Sequence, residues 1–403
     1  GMYLMKVLVV NAGSSSIKYQ VFDMTDESVL AKGLVDRVGI PGTTLEHKPA
    51  GKDEVVIKKD LPDHTAGMKL VLDALVDKEY GCIKSMDELG AVGHRVVHGG
   101  EGFANSVIID DNVKKVIKDC FAIAPLHNPP NLMGIDACQE LMPNIPHVAA
   151  FDTAFHQTME PANYMYALPY DVYEKYRVRR YGFHGTSHYY VAHRAADMLG
   201  KPYEECKIVT LHLGNGGSMA AIKDGKVVDT SMGFTPLEGL VMGTRSGDVD
   251  PAVVFFLMEK LGMDAVEANS FFNKKSGMLG LSGVSNDLRD VEEAANSGNE
   301  RAKIAMQVYI NKIKGYIGNY IAKLNGCDCL VFTAGVGENG IDIRESICSD
   351  LDYLGIKMDA EKNKVRGKEV DLAADDSKVR IFLIPTNEEL VIARDTVALA
   401  TAK

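Results

Sequence analysis

Two stretches of this chain repeat one plan, in which a strand, a turn of small polar residues and a second strand follow one another. In the first stretch the apolar run 7–10 leads into the turn 11–16, and residues 17–22 alternate between apolar and polar side chains. Such runs predict strands, so residues 6–23 are predicted to form a β-hairpin. Residues 207–229 repeat the same order in the other half of the chain, which indicates an internal duplication.

Both turns carry many groups that can bind an anion. Glycine lets the backbone approach a ligand closely, and serine hydroxyls, asparagine amides and main-chain N–H groups can donate hydrogen bonds to it. Lys18 lies just past the first turn, where a cation could contact phosphate. Either turn alone is also explained as an ordinary hairpin tip, but two such turns facing each other would hold a polyphosphate from both sides.

The rest of the chain alternates between strands and helices, which predicts an α/β protein. Helical periodicity is clearest in residues 302–324 and is also found in residues 251–261. Thr186 or Ser187 is expected to cap a helix that ends at Gly200. The sequence Asn128-Pro-Pro is expected to interrupt regular structure.

Two α/β halves that each begin with a hairpin resemble the superfold of actin, hexokinase and the heat-shock ATPases. This resemblance implies an α/β fold of two duplicated actin-like (ribonuclease H-like) domains with an active-site cleft between them. We expect residues 1–152 and 386–403 to form the first domain. Residues 153–385 would then form the second, nucleotide-binding domain.

Composition argues against several other classes of protein. The 403-residue chain has a formal charge of -11, which disfavours a surface for nucleic acid or anionic membranes. It has no apolar run of membrane-spanning length, and its start lacks the basic-then-apolar pattern of a signal peptide. Its seven cysteines include no CxxC pair and do not suggest a disulfide framework. We therefore expect a cytoplasmic protein that binds neither nucleic acid nor membranes.

Two arginines are the strongest candidates for binding anionic substrates. The chain has no GxxxxGK[ST] segment and no protein-kinase signature, so phosphate must be bound in another way. Arg95 lies between two histidines and is followed by two glycines, and Arg245 lies in a glycine-rich loop. One such arginine usually belongs to a structural ion pair. Two of them could together hold a carboxylate and a phosphoryl group.

Three further candidates follow from their positions in the predicted elements. Asp152 directly follows an apolar strand, the usual place for a functional carboxylate in an α/β protein. His184, in a Gly-Phe-His-Gly segment, could donate a hydrogen bond to an anion. Glu388 lies near a helix start as a candidate metal ligand, although spacing does not distinguish it from Glu389. Each of these residues also has an ordinary explanation as a helix cap or a surface charge.

Taken together and in this order, the motifs of the chain resemble those of the acetate kinases. Two segments mark that family, Asn11-x-Gly-Ser-Ser-Ser-x-Lys18 and Gly93-His-Arg-Val-Val-His-Gly-Gly100. The resemblance extends over essentially the whole chain through FDTAFH (151–156), YGFHGTSH (181–188), HLGNGG (212–217), GTRSGD (243–248) and PTNEE (385–389). It departs at Ala334-Gly335, where the family often has two glycines, and this change is expected to tighten the adenosine side.

This resemblance implies a Mg2+-dependent, reversible phosphoryl transfer from ATP to acetate, giving acetyl phosphate and ADP, with Mn2+ as an alternative metal. It also implies a homodimer. The catalytic roles would fall on Asp152, His184 and Arg245, and the metal-binding roles on Asn11 and Glu388. Acetate would be bound by Arg95, with Val97, Leu126, Phe183 and Pro236 around its methyl group. The nucleotide would be bound by Lys18, His212, Leu213, Gly214, Asn215, Gly216, Asp287, Leu288, Arg289, Gly335, Val336, Gly337, Glu338 and Asn339.

The physical chemistry of this reaction agrees with such a set of residues. Phosphoryl transfer to a carboxylate brings two anions together, so catalysis consists mostly of charge neutralisation and in-line positioning. At an effective dielectric constant near 20, one pair of opposite unit charges about 4 Å apart contributes roughly 4 kcal/mol. The carboxylate nucleophile is already ionised at neutral pH and needs no general base. Asp152 is therefore expected to orient a donor or the metal shell.

Two alternatives stay open at this point. A propionate or butyrate kinase of the same family would differ mainly in its acyl pocket, where one methylene group is worth only about 1–3 kcal/mol. An actin-like or chaperone ATPase of the same superfold would share the hairpins but would need no arginine for a carboxylate substrate. Arg95 and Arg245 favour the enzyme over this second alternative.

Overall fold

The structure is a computed structural model that describes residues 5–402. The start of the chain, where a signal-peptide pattern was expected to be absent, lies partly outside these residues. The chain forms two compact units. The first unit comprises Gly1–Gln157 and Asn387–Lys403, and the second unit comprises Thr158–Thr386. Every helix in the described part is too short or too polar to span a membrane.

The elements are numbered in chain order. The strands are β1 (Lys6–Ala12), β2 (Ser16–Asp23), β3 (Ser28–Asp36), β4 (Thr44–Pro49), β5 (Val55–Lys58), β6 (Leu89–Val96), β7 (Val107–Ile108), β8 (His147–Phe151), β9 (Lys207–Leu213), β10 (Gly217–Lys223), β11 (Lys226–Thr230), β12 (Cys329–Thr333), β13 (Val370–Asp371) and β14 (Arg380–Leu383). The helices are α1 (His64–Leu75), α2 (Asp111–Asp119), α3 (Asn128–Leu141), α4 (Pro161–Tyr164), α5 (Tyr170–Tyr176), α6 (Gly185–Leu199), α7 (Pro251–Leu261), α8 (Ala265–Lys274), α9 (Gly277–Ser282), α10 (Leu288–Asn296), α11 (Glu300–Leu324), α12 (Ala334–Asn339), α13 (Ile341–Cys348) and α14 (Glu388–Ala400).

Each unit is built on one mixed sheet. The first unit has the strand order β5-β4-β3-β2-β1-β6-β8-β7, and the second has the order β11-β10-β9-β12-β14-β13. Each sheet contains an antiparallel hairpin, β1–β2 in the first and β9–β10 in the second. A third antiparallel strand pairs with the second strand of the hairpin, and two parallel strands follow beside its first strand. The core order β3-β2-β1-β6-β8 therefore matches β11-β10-β9-β12-β14. This repeated topology confirms the predicted duplication and the α/β class.

Helices cover the sheets through buried apolar faces. In the second unit, α11 buries Tyr309, Ile313, Ile317 and Tyr320 against the strands, as its three- and four-residue periodicity predicts. In the first unit, α14 packs on β6, where a methyl group on Gly93 would lie 2.4 Å from Thr396 Oγ1. Glycine thus lets α14 lie close to the strand that carries Arg95.

Several local predictions are confirmed, and two are wrong. Both hairpins form, and α7 begins and ends at the predicted residues. However, α3 begins at Asn128 and includes the two following prolines, because the first turn of a helix needs no N–H partners. The cap of α6 is His184 and not Thr186 or Ser187.

Candidate active site

Strands β6 and β8 place Arg95 and Asp152 side by side in the first unit. Arg95 lies opposite Ala150 in the parallel pair, and Asp152 directly follows β8. Arg95 donates from Nε to Asp152 Oδ1 at 2.9 Å and from Nη2 to Oδ2 at 2.7 Å. Asp152 is buried and Arg95 is half-buried. The negative charge of Asp152 raises the pKa of Arg95, so the guanidinium stays charged.

This bidentate pair uses only one edge of the guanidinium. Because the two bonds come from Nε and Nη2, the Nη1 side of Arg95 is left to contact a ligand. A planar guanidinium can hold a second carboxylate in this way. The geometry therefore makes Asp152 an orienting partner of Arg95.

Two carboxylates begin helix α14. The side chain of Asn387 accepts a hydrogen bond from the N–H of Leu390 at 3.3 Å and caps the helix. Burial raises the pKa of Glu388 to about 7; the charge of Arg95 opposes this effect, and the charges of Asp152 and Glu389 add to it. The ionised form of Glu388 would therefore be stabilised by an added cation.

The first hairpin brings further predicted residues together. Asn11 and Lys18 lie opposite each other in the β1–β2 pair. Both line a hollow of about 480 Å3 in the first unit, together with Glu389, Lys32 and Lys48. Lys18 is exposed. Glu389 rather than Glu388 thus shares a hollow with Asn11, so both members of the Glu388–Glu389 pair are candidates for a metal site.

The oxygen donors of the first unit fit Mg2+. No group of three or more His, Cys, Asp or Glu side chains that could hold a metal ion occurs in residues 5–402. Mg2+ in kinases is usually bound by one or two carboxylates, waters and substrate phosphates. The amide oxygen of Asn11 and the half-buried carboxylate of Glu388 are donors of this type.

The apolar residues predicted around the methyl group are divided between the units. In the first unit Val97 is buried, and its N–H donates to Asn131 Oδ1 at 3.0 Å, whereas Leu126 is exposed. In the second unit Phe183 is buried, and Pro236 is half-buried in the loop after β11. The composition of the acyl pocket stays a prediction.

Arg245, His184 and Gly216 meet at the turn between β9 and β10 in the second unit. A methyl group on Gly216 would lie 3.3 Å from Arg245 Nη1 and 3.9 Å from His184 Nε2. Arg245 is half-buried and contacts Met242 Sδ at 3.9 Å, and burial lowers the pKa of its guanidinium. Among residues 5–402, no carboxylate forms an ion pair with Arg245. A desolvated cation of this kind is able to bind an external anion.

The backbone and two side chains fix the position of His184. His184 precedes α6 with a left-handed backbone, φ 58° and ψ 23°. Its ring stacks on His212 with the ring centres 4.0 Å apart and the planes at 22°. His184 Nδ1 is 2.8 Å from Ser218 Oγ, and His212 Nδ1 is 2.7 Å from Ser187 Oγ. Sequence reasoning missed the roles of both serines, because hydroxyl contacts between a helix and a strand leave no motif.

A cavity of about 920 Å3 opens in the second unit beside this turn. Eight of the predicted nucleotide contacts line it: Gly214, Asn215, Asp287, Leu288, Arg289, Gly335, Val336 and Asn339. The apolar part of its lining is formed by Met242, Met278, Tyr309 and Ile343. A cavity of this volume with mixed lining suits a ligand of the size of adenosine and its phosphates.

Other predicted nucleotide contacts lie outside the wall of this cavity. Leu213, His212 and Gly337 are buried, and Gly216 lies beside Arg245. Glu338 accepts a hydrogen bond from the N–H of Thr386 at 3.5 Å. Lys18 belongs to the first unit.

Helix α12, which carries the predicted glycine loop, begins with a strained residue. Ala334 has φ 66°, a left-handed value that costs a residue with a Cβ about 1–2 kcal/mol. At the other end of α12 the buried Arg344 donates to the carbonyl oxygens of Gly337 and Glu338, each at 3.0 Å. The strained residue thus lies at the start of this helix, beside the cavity, in the Ala334-Gly335 pair discussed above.

Sequence reasoning missed part of the cavity wall. Gly243, Asn286, Glu292, Asp342 and Arg366 also line it. Asn286 is adjacent to the predicted Asp287 and would be found by extending that segment by one residue. Gly243 begins the GTRSGD motif, and Glu292 lies one turn after Leu288 in α10. Asp342 and Arg366 come from distant parts of the chain and carry no local signal.

A family model described as the acetokinase family matches residues 6–394. The chain belongs to the acetokinase family. The acetate kinase of Syntrophomonas wolfei subsp. wolfei is 85% identical over 396 residues, which cover 98% of this chain and 100% of that protein. The acetate kinase of Methanosarcina acetivorans is 60% identical over 392 residues, covering 97% of this chain and 96% of the relative.

Solved structures agree with this family assignment. The crystal structure of Porphyromonas gingivalis acetate kinase matches with a TM-score of 0.95 and 52% identity, covering 98% of this chain and 99% of that one. A propionate kinase from Francisella tularensis matches with a TM-score of 0.91 and 39% identity, covering 98% of this chain and 100% of the other. Identity to the three acetate kinases named here, 52% to 85%, is thus higher than identity to this propionate kinase.

Proposed function

We propose that this acetokinase-family protein catalyses the reversible, ATP-dependent phosphorylation of acetate to acetyl phosphate and ADP. Identity of 58% to 85% to relatives named acetate kinase over nearly the whole chain supports this activity. The lower identity to a propionate kinase makes that alternative less favoured. The protein is accordingly a kinase, and ATP and acetate are its substrates.

The single observation that carries the proposal is the environment of Arg245. Its guanidinium is half-buried beside the Gly216 turn and His184, and within the described residues no carboxylate neutralises it. The cavity predicted to bind the nucleotide opens beside the same turn. We infer that Arg245 and His184 contact the phosphoryl group in transfer and stabilise its developing charge.

In the first unit, we propose that Arg95 binds the carboxylate of acetate. Asp152 holds one edge of the guanidinium through bonds of 2.9 and 2.7 Å to Nε and Nη2, which leaves Nη1 to the substrate. No residue needs to remove a proton, since acetate is ionised at neutral pH. Asp152 therefore contributes by orienting Arg95 and keeping it charged.

We propose that Asn11 and Glu388 help to bind Mg2+, or Mn2+ as an alternative, together with nucleotide phosphates. When bound, such an ion neutralises phosphate charge during the transfer. Lys18 and Glu389 line the hollow next to Asn11 and are close enough in the fold to contribute. We also propose that the two units correspond to the predicted domains, residues 1–152 with 386–403 and residues 153–385.

Hydroxylamine trapping tests the proposed reaction. The protein is incubated with ATP, Mg2+, acetate and hydroxylamine, which converts acetyl phosphate into acetohydroxamate. We expect acetohydroxamate and ADP in equal amounts, and neither without acetate. ADP and inorganic phosphate without acetohydroxamate would identify an ATPase of the same superfold instead. Propionate and butyrate in place of acetate, compared by kcat/KM, would measure the chain-length preference.

We propose that the protein is a homodimer that associates through α7 and α8. Phe255 and Phe256 on α7 and Val266 on α8 are large, apolar and exposed. Adjacent exposed apolar residues of this kind often mark a protein interface. Light scattering should give a dimer for the natural protein and a monomer after Phe255→Ser combined with Phe256→Ser. Tyr353→Ser, which changes an exposed aromatic residue elsewhere in the unit, should leave the dimer intact.

A cytoplasmic location agrees with the state of the cysteines. All seven are free thiols in the structure. Burial raises the pKa of Cys138 and of Cys348 to about 12, so these thiols are unreactive. We propose the cytoplasm as the compartment on this basis.

A further inference from the structure

A chain of buried polar side chains ends at His184. Ser218 Oγ lies 2.8 Å from His184 Nδ1 and 2.8 Å from His188 Nε2. On the other side of its ring, His188 Nδ1 lies 2.6 Å from Thr210 Oγ1. Ser218, His188 and Thr210 are fully buried. We call Thr210, His188, Ser218 and His184 the buried relay.

The protons of the buried relay are coupled. A serine hydroxyl has one proton, so Ser218 donates to one of the two rings and accepts from the other. A neutral His188 likewise carries a proton on only one ring nitrogen. The hydrogen bonds of the relay therefore run in one direction. If they run from Thr210 toward His184, then His184 Nδ1 accepts and the proton of its neutral ring is on Nε2.

Two observations favour this direction, and the charge of Arg245 favours a neutral His184 ring. His184 Nε2 faces the Gly216 turn, where Arg245 Nη1 also lies, so a proton there can be donated to a phosphoryl oxygen. The adjacent charge of Arg245 opposes a second positive charge on His184, and a neutral ring avoids it. The other acceptor for Thr210, the carbonyl oxygen of Ala220, is 3.5 Å away, against 2.6 Å for His188.

We propose that Ser218 and His188 are positioning residues that hold His184 with its proton on Nε2, so that a neutral imidazole donates to the transferred phosphoryl group. Stacking on His212 fixes the plane of the His184 ring, and Ser218 fixes its rotation. This inference rests on the proposed function, because it assigns the protonation state in which His184 acts in that reaction.

Kinetics of Ser218→Ala test the positioning role. We expect kcat for acetohydroxamate formation to fall about tenfold with the KM values for ATP and acetate unchanged, less than the roughly 10²–10³-fold loss caused by removing a whole donor. The matched control is Ser231→Ala, which removes another buried serine hydroxyl, one that accepts from the N–H of Met219 at 2.8 Å. Its kcat should stay near that of the natural protein.

A double-mutant cycle separates action through His184 from a general effect on the sheet. In a His184→Ala background, Ser218→Ala should lower kcat no further, because the ring that it positions is gone. An equal fall in both backgrounds, or an unchanged kcat in Ser218→Ala alone, would overturn the inference. Circular dichroism and melting temperature verify that each variant is folded.

Nitrogen-15 NMR of histidine-labelled protein tests the tautomer without any activity measurement. For the neutral His184 ring we expect Nε2 protonated and Nδ1 unprotonated in the natural protein, and a mixture of both tautomers in Ser218→Ala. A protonated Nδ1 on the neutral ring would overturn the inference. A natural protein that forms no acetohydroxamate would contradict the proposed function instead, so the two failures are distinguishable.

Discussion

At the residue scale, Arg95 and Arg245 differ in what surrounds them. Arg95 is held by a buried carboxylate through two hydrogen bonds, so the protein itself fixes its orientation and charge. Arg245 contacts a thioether sulfur, and burial lowers its pKa. The guanidinium of Arg245 would therefore gain its main electrostatic interaction only when an anion binds beside it. This difference suits a substrate carboxylate at Arg95 and a transient phosphoryl charge at Arg245.

Removal of the Arg245 guanidinium should affect turnover more than binding. Arg245→Ala is expected to lower kcat by about 10²–10³, the loss typical of one transition-state donor. Steady-state kinetics with acetate and ATP measure it, and Arg301→Ala, an exposed cation of the same unit, is the control. Turnover near that of the natural protein in purified Arg245→Ala would refute the assignment.

Lysine should not replace Arg95, although it conserves the charge. A lysine ammonium cannot make the two parallel bonds to Asp152 and also present an edge to acetate. We expect Arg95→Lys to raise the KM for acetate at least about tenfold and to lower the melting temperature, because the buried Asp152 loses a bond. Arg194→Lys is the matched control, since Arg194 makes a similar two-bond pair with Glu369 at the surface. Equal effects of the two substitutions would contradict this role of Arg95.

At the element scale, the start of α12 combines a strained residue with a wall of the 920 Å3 cavity. Ala334 has a left-handed backbone, and the following Gly335 lines the cavity. The strain is local, since Arg344 ties the other end of α12 through main-chain carbonyls. This arrangement allows the strained position to be tested by itself.

Glycine at position 334 should stabilise the fold. Relief of left-handed strain is worth about 1–2 kcal/mol, and the added flexibility of the unfolded chain offsets about 0.4–1 kcal/mol of it. We therefore expect Ala334→Gly to raise the free energy of unfolding by up to about 1.6 kcal/mol, as measured by urea denaturation. Ala398→Gly, on the exposed side of α14, should instead lower it by about 1 kcal/mol. A similar fall for both variants would show that position 334 is unstrained.

Helix α14 also carries a half-buried carboxylate whose charge opposes folding. Asp395 accepts a hydrogen bond from Ser106 Oγ at 2.7 Å, and burial raises its pKa above the usual 3.8. A carboxyl whose pKa is raised in the folded state binds its proton more tightly there than in the unfolded chain. The natural protein therefore gains stability from this group as the pH falls through the raised pKa toward 3.8.

The substitution Asp395→Asn mimics the protonated form and keeps an acceptor for Ser106. We expect this variant to be more stable than the natural protein at neutral pH, with the difference shrinking as the pH approaches 3.8. Urea denaturation at several pH values measures the difference, and Asp73→Asn on the exposed face of α1 is the control. A pH-independent difference would exclude the charge of Asp395 as the cause.

At the scale of the whole molecule, the duplication explains how much could be predicted from the sequence. The two hairpins, the α/β class and the long helix α11 follow from periodicity and turn chemistry, which are local properties. Strand β4 and helices α8–α10 were not foreseen. Their stability comes from packing against the rest of each unit, and propensity alone does not encode it.

Some residues of the candidate site could likewise be predicted from the sequence, and others could not. Gly216 and Arg245 lie in glycine-rich segments that sequence motifs indicate, and the structure places them together. Asp152 was expected to orient a donor or the metal shell, but the choice of Arg95 as its partner required the register of β6 and β8. The contacts of Ser218 and of the distant Arg366 had no signal, because side chains that meet between a helix and a strand or from separate loops leave no spacing to detect.

The central claim is that a carboxylate oxygen of acetate attacks the terminal phosphorus of ATP among positive groups supplied by this chain. The most direct measurement is the phosphorus NMR spectrum of acetyl phosphate formed by the protein from ATP and acetate labelled with oxygen-18 in both oxygens. The account predicts an isotope shift, because the oxygen that bridges carbon and phosphorus comes from acetate. An unshifted acetyl phosphate signal, or inorganic phosphate as the only new product, would contradict it.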